Sequence, residues 1–178
     1  MKLNRPTRRA TLVVHVTAAA GWLGLTLALL ALALTAVTTG SAAATEASVR
    51  SMKVFAGWLI IPLALLTLLS GLVLSLGTPW GLARHRWVYT KFWLTLATTA
   101  ASVFALRPGV TDAAAASAAG EALANPTDVI AGPIVSLVAY LFMTAVSVLK
   151  PWGLTKRGRK HRAASRKAVD ATAVRQPA

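Results

Sequence analysis

SGLVLSLGTPWGLARHRWVYTKFWLTLA, residues 70–97, is the stretch from which the fold is read. An apolar run carrying Gly71 and Ser75 one helical turn apart stops at Thr-Pro-Trp-Gly. Arg84 and Arg86 follow, and a second apolar run opens at Val88 with Lys91 three residues inside it. Pro and Gly end helices, Trp settles at the headgroup level of a bilayer, and Arg stays on the water side. The stretch therefore reads as one membrane helix ending, a short loop, and a second membrane helix beginning.

Working outward, apolar blocks at 11–37, 54–76, 88–106 and 129–149 each reach the roughly 20 residues needed to cross about 30 Å of hydrocarbon. The expectation is an all-α, four-transmembrane-helix bundle over residues 11–155, with a short N-terminal segment at 1–10 and a basic, disordered tail at 156–178. Composition agrees: 56% of the 178 residues are hydrophobic and only 13% are charged. A mean hydropathy of +0.61 belongs to membrane proteins rather than soluble domains.

The formal charge of +14 suggests nucleic acid at first sight, but its placement does not. Of the 19 Lys and Arg, 15 flank the cytoplasmic ends of the spans if both termini are cytoplasmic; Arg50, Lys53 and Arg107 lie in the opposite loops, and Lys91 lies within a span. Glu46, Asp112, Glu121 and Asp128 fall on that opposite side. The positive-inside rule then places both termini in the cytoplasm of a bacterial plasma (inner) membrane. The expected partners are anionic lipid headgroups, other membrane proteins or a second copy, and not nucleic acid, although the basic tail alone would also suit RNA. A signal peptide cleaved after Ala44 is the alternative for the first block; its apolar region is too long for one, so a retained helix is the working expectation. A surface helix is expected near 112–124.

The tetrapeptide PWGL occurs at 79–82 and again at 151–154, each time beyond an even-numbered span and before basic residues. The offset of 72 suggests a duplicated helix pair. Trp80, Trp87 and Trp152 are expected as interfacial anchors, which accounts for the motif without ancestry.

At 100° per residue, each span shows one stripe of small or polar residues. On the third span Lys91, Thr95, Thr98 and Ser102 fall within about 60° of arc. The first carries His15, Trp22 and Thr26 on one face and Ala20, Gly24 and Ala28 on another. The second carries Ala64, Thr67, Gly71 and Ser75, and the fourth Gly132, Ser136, Met143 and Ser147. Gly24, Gly71 and Gly132 are the expected helix-packing points, because small residues let backbones approach where lipid offers no hydrophobic drive. Pro62 should bend the second helix.

His15 and Lys91 each lie about 5 to 6 Å below the same boundary by helix rise. They are either a hydrogen-bonded His and a snorkelling Lys, or one site with His85 and Arg84 at its mouth. Without Cys there are no disulfides, thiolate metal sites or covalently attached haem, and three Met are a thin supply for copper(I). A non-covalent, b-type haem remains chemically open, with His15 supplying one nitrogen and Lys91 or His85 another.

The segments HVTAAAGWLGLTLALLAL (residues 15–32) and 70–97 resemble a group of small bacterial four-helix membrane proteins known only as a domain of unknown function. More distantly they resemble the membrane domains of CopD-type copper-resistance proteins and HemJ-type protoporphyrinogen oxidases. In those a helix-one His precedes a Trp-Gly step and a Lys opens helix three. The resemblance covers roughly residues 11–106 and implies haem at His15 and Lys91. The chain departs from the HemJ pattern in lacking its Pro-Arg-Leu-Phe-like segment after helix one and its later His, where 102–106 stand. Three functions follow as expectations: a non-enzymatic membrane component acting by association with others, a b-type haem redox protein, and a small-solute or ion transporter.

Overall fold

A computed structural model describes residues 3–78, 80–123 and 125–174, with side chains as far as Arg166. Lys2, Pro79 and Arg175 lie outside the described residues, as do the side chains of Lys167 and Asp170. Among the described residues the chain is predominantly helical and has no strand. The elements are α1 (Arg5–Thr38), α2 (Ala42–Trp58), α3 (Ile60–Gly77), α4 (Arg86–Ala101), α5 (Arg107–Ala118), α6 (Pro126–Leu149) and α7 (Lys156–Val174). Three stretches, Arg5–Thr38, Ala42–Gly77 and Pro126–Leu149, are long and apolar enough to cross a membrane.

The helix starts follow local chemistry. Asn4 accepts from the Thr7 amide at 2.9 Å with Pro6 in the first turn of α1, and Asn125 accepts from the Thr127 amide at 3.2 Å ahead of Pro126 in α6. Residues 5–10, within the expected N-terminal segment, form the first turns of α1. Ordinary helix formers and a satisfied cap leave no reason to break there.

The second apolar block is interrupted at Leu59, three residues before Pro62. Proline has no N–H to offer the Trp58 carbonyl and its ring crowds that group, so the distortion falls upstream of the residue that causes it. The third block ends differently from expectation. α4 gives way to a π-helical turn at Ser102–Leu106, where the Arg107 amide reaches back five residues to Ser102 O, and the chain continues directly into α5. Pro108 cannot donate to Phe104 O, and the wider turn just ahead of it absorbs the mismatch. The surface helix expected near 112–124 is α5, which begins earlier and stops at Ala118 before Gly120, a residue with φ +78°.

The tail at 156–178, expected to be disordered, forms α7 as far as Val174. Nucleation is the costly step in an isolated helix. Here Thr155 supplies it: its hydroxyl accepts from the Gly158 amide at 3.0 Å while its own amide donates to Arg84 O at 2.9 Å.

Helices α1, α3, α4 and α6 pack in a closed ring, each touching the next, and α2 packs against α1 and α5. The Leu3 amide donates to Gly77 O at 3.1 Å, and the Arg86 amide donates to Gly153 O at 3.3 Å. The start of α1, the end of α3, the start of α4 and the end of α6 therefore share one end of the ring, where the basic residues gather.

The apolar core lies toward the other end. Leu25, Leu29, Met52, Ile60, Val110 and Val129 form its main cluster, with Ala36, Val49 and Ala114 beyond. Large apolar side chains such as Leu27, Leu69, Val135 and Phe104 point outward, and Phe104 is 79% exposed. An apolar exterior around a ring with a polar stripe inside is the arrangement a bilayer stabilises.

Candidate functional site

A cavity of about 670 Å³ opens between the four ring helices toward the basic end. Trp22, Tyr140 and Met143 close its inner end, with the Trp22 and Tyr140 rings 4.7 Å apart. Trp80, Trp87 and Lys150 stand at its mouth. The size is that of a small-molecule site rather than a packing defect.

His15 of α1 and Lys91 of α4 both line this cavity. The His15 Nδ1 is 3.1 Å from Thr67 O and 3.0 Å from Ser70 Oγ on α3. A carbonyl oxygen can only accept, and the Ser70 hydroxyl donates its proton to Leu66 O. Nδ1 therefore carries the hydrogen, and in the neutral ring Nε2 keeps its lone pair. Gly71 makes this placement possible: a Cβ there would meet His15 Cε1 at 3.1 Å.

Lys91 Nζ donates to Ser147 Oγ, whose own proton goes to Met143 O at 2.9 Å. The ammonium and the His15 ring line the same cavity. No carboxylate pairs with the ammonium among the described residues; Glu46 on α2, Asp112 on α5, Glu121 after α5 and Asp128 in the first turn of α6 all lie toward the opposite end. Thr67 Oγ1, on a residue of the cavity wall, is buried with no hydrogen-bond partner, a rare state for a buried polar atom, whereas Tyr140 Oη faces the hydroxyls of Thr98, Ser102 and Ser136.

The remaining expected site residues separate. His85 stands outside the cavity wall: its Nδ1 bonds Trp80 O at 2.6 Å and its ring packs edge-on to Trp80 with centroids 5.1 Å apart. The sequence places it at the mouth of the site; it packs on Trp80 and Trp87, which stand at that mouth, without lining the cavity itself. Trp80 also packs on Trp87 at 5.5 Å and carries Lys150 Nζ over its face at 4.9 Å. Trp152 is 38% exposed at the end of α6, beside Phe142. The Trp80 and Trp152 loops lie side by side, bridged at His85 and Leu154.

Of the three glycines, Gly71 faces His15, and Gly132 faces Leu106, whose Cδ1 would stand 2.6 Å from an added Cβ. Gly24 is exposed with no neighbour within 4 Å of that point. Tyr140 and Ser70 were missed by the sequence reading. Tyr140 could have been found, because it stands four residues after Ser136 and seven before Ser147 on the same stripe of the fourth span.

No family model matches the chain, and neither a curated protein nor a solved structure does.

Proposed function

We propose that this chain is a four-span protein of the bacterial inner membrane, both termini cytoplasmic, that binds an amphipathic small molecule with an acidic head between its helices. One observation carries the reading: an ammonium without a carboxylate, Lys91 Nζ, in an otherwise largely apolar cavity of ligand size. A cation held inside a membrane domain is costly, and pairing with an anion offsets that cost. The free Nε2 of His15 adds a second polar contact, and the apolar walls suit a hydrocarbon or ring body. The fourth span is α4 continued through the π turn. The distribution of basic residues supports the orientation.

The test is mass spectrometry of small molecules that co-purify with the detergent-solubilised protein. An acidic amphiphile present at near one per chain in wild type and lost in Lys91→Met is the expected result. A wild-type protein that carries none, and whose melting temperature no long-chain acid, phosphate-headed lipid or haem raises, would overturn the reading.

The tautomer of His15 favours one specific occupant, a b-type haem. A ring whose Nδ1–H is fixed by a backbone carbonyl is the usual posture of a metal-binding His. His15 would offer Nε2, and Lys91 would offer either a second nitrogen or a counter-charge to the propionates. When bound, such a group supplies one-electron chemistry. The chain's own part is to hold the ring face, exclude water and set the charge around it. A Soret band after haem-replete expression, absent in His15→Ala, supports this occupant; a colourless protein excludes it. Association with other membrane proteins or a second copy would use the outward face at Gly24, which has no neighbour within 4 Å of an added Cβ.

A further inference from the structure

A second concavity, of about 780 Å³, lies outside the ring at the basic end, between the second PWGL loop and α7. Its floor is the segment from Pro151 to Leu154, and four guanidiniums surround it: Arg86 from the start of α4, and Arg159, Arg162 and Arg166 from α7. The last three stand at i, i+3 and i+7, a single stripe of α7 about 10 Å long by helix rise. None of the four pairs with a carboxylate among the described residues. A charge run on a free helix is commonly a solvated face, but α7 is not free. The Thr155 hydroxyl donates to Ala83 O at 2.7 Å, its amide bonds Arg84 O, and Gly158 is buried so close to the same carbonyl that a Cβ would meet it at 2.3 Å. These contacts fix the rotation of α7 about its axis and so turn the arginine stripe toward Arg86 across the loop.

We infer that this groove is a binding site for a lipid headgroup carrying two phosphates. Arginine grips phosphate with two parallel N–H bonds, so four guanidiniums along about 10 Å satisfy two phosphates and leave half their donors idle with one. A lipid is favoured over a soluble anion by position. The floor continues directly from the end of α6, one of the helices apolar enough to span a membrane, and Trp152 and Leu154 offer apolar surface beside the charges. The site is separate from the His15–Lys91 cavity, and its occupancy does not depend on what that cavity holds.

The test uses the full chain in detergent, titrated with cardiolipin, phosphatidylglycerol, inorganic pyrophosphate and a short oligouridine, with Kd read by thermophoresis. Cardiolipin should bind at least about tenfold more tightly than phosphatidylglycerol at equal phosphate. The exposed triple variant Arg159→Gln, Arg162→Gln, Arg166→Gln should lose about tenfold or more of that affinity while keeping its helical circular dichroism. The corresponding triple Lys variant keeps the charge and loses the fork, and should lose most of the preference for two phosphates. Equal affinity for the two lipids, or a Gln or Lys variant that behaves as wild type, overturns the site in favour of a diffuse field. Pyrophosphate or oligouridine binding as tightly as cardiolipin, with the same arginine dependence, overturns its assignment to lipid.

Discussion

Gly24 and Gly71 show what decides the role of a residue. Both lie on small-residue stripes and read alike in sequence, yet one faces outward with open space around it and the other is pressed against His15. Gly24→Ala should therefore be neutral or slightly stabilising, within about 0.5 kcal/mol, since Ala is the better helix former. Gly132→Ala drives a methyl into Leu106 and should cost about 1 to 3 kcal/mol. Gly71→Ala should cost less, because the His15 ring can shift by a few tenths of an ångström, but that shift disturbs its bond to Thr67 O and should weaken ligand retention. Thermal melts of the three variants in one detergent check the ranking. Lys91→Met should raise the melting temperature by a few degrees, about 1 kcal/mol, by removing an unpaired charge from the ring while abolishing capture of an acidic head. An unchanged or lowered midpoint would show that Lys91 is stabilised by its surroundings. His15 and Lys91 were legible because a titratable group in an apolar run stands out. The place of His85, packed on Trp80 and Trp87 rather than in the cavity wall, depends on a turn conformation that spacing does not encode.

Among the elements, three of the four apolar blocks reappear as stretches long and apolar enough to span, the block at 88–106 is divided between α4 and the π turn, and the breaks were not readable from hydropathy. Pro62 and Pro108 are visible in the sequence, but each acts on a carbonyl four residues earlier, and neighbouring packing selects whether the result is an interruption, as at Leu59, or a π turn, as at Ser102–Leu106. Helix α7 was hidden for a different reason. Its sequence holds little to bury, and its order begins from a docked first turn. Gly158→Val removes that docking without touching a charge. Limited trypsin digestion of the tail should then run several-fold faster than in wild type, while cleavage elsewhere is unchanged; equal rates would mean that α7 does not depend on the contact with Arg84.

For the molecule as a whole, charge and hydropathy make one strong statement, an alternating chain with its basic residues at one end, and the ring of α1, α3, α4 and α6 has that polarity. Alkaline phosphatase fused at Glu46 or Glu121 should be active and at Arg84 inactive; the reverse pattern overturns the orientation. The cavity could not be read from the sequence, because it is a property of how four stripes meet. Its position has a mechanical consequence. With the apolar clusters filling one half of the ring and the cavity the other, the helices are clamped at one end and compliant at the other, like tongs joined at the hinge. A tilt of about 5° over roughly 20 Å of helix moves a free end by about 2 Å. On the proposed function, admitting a guest through the basic end would demand bending at the clamp rather than unfolding, and the lateral pressure of the surrounding lipid would be the spring that closes it.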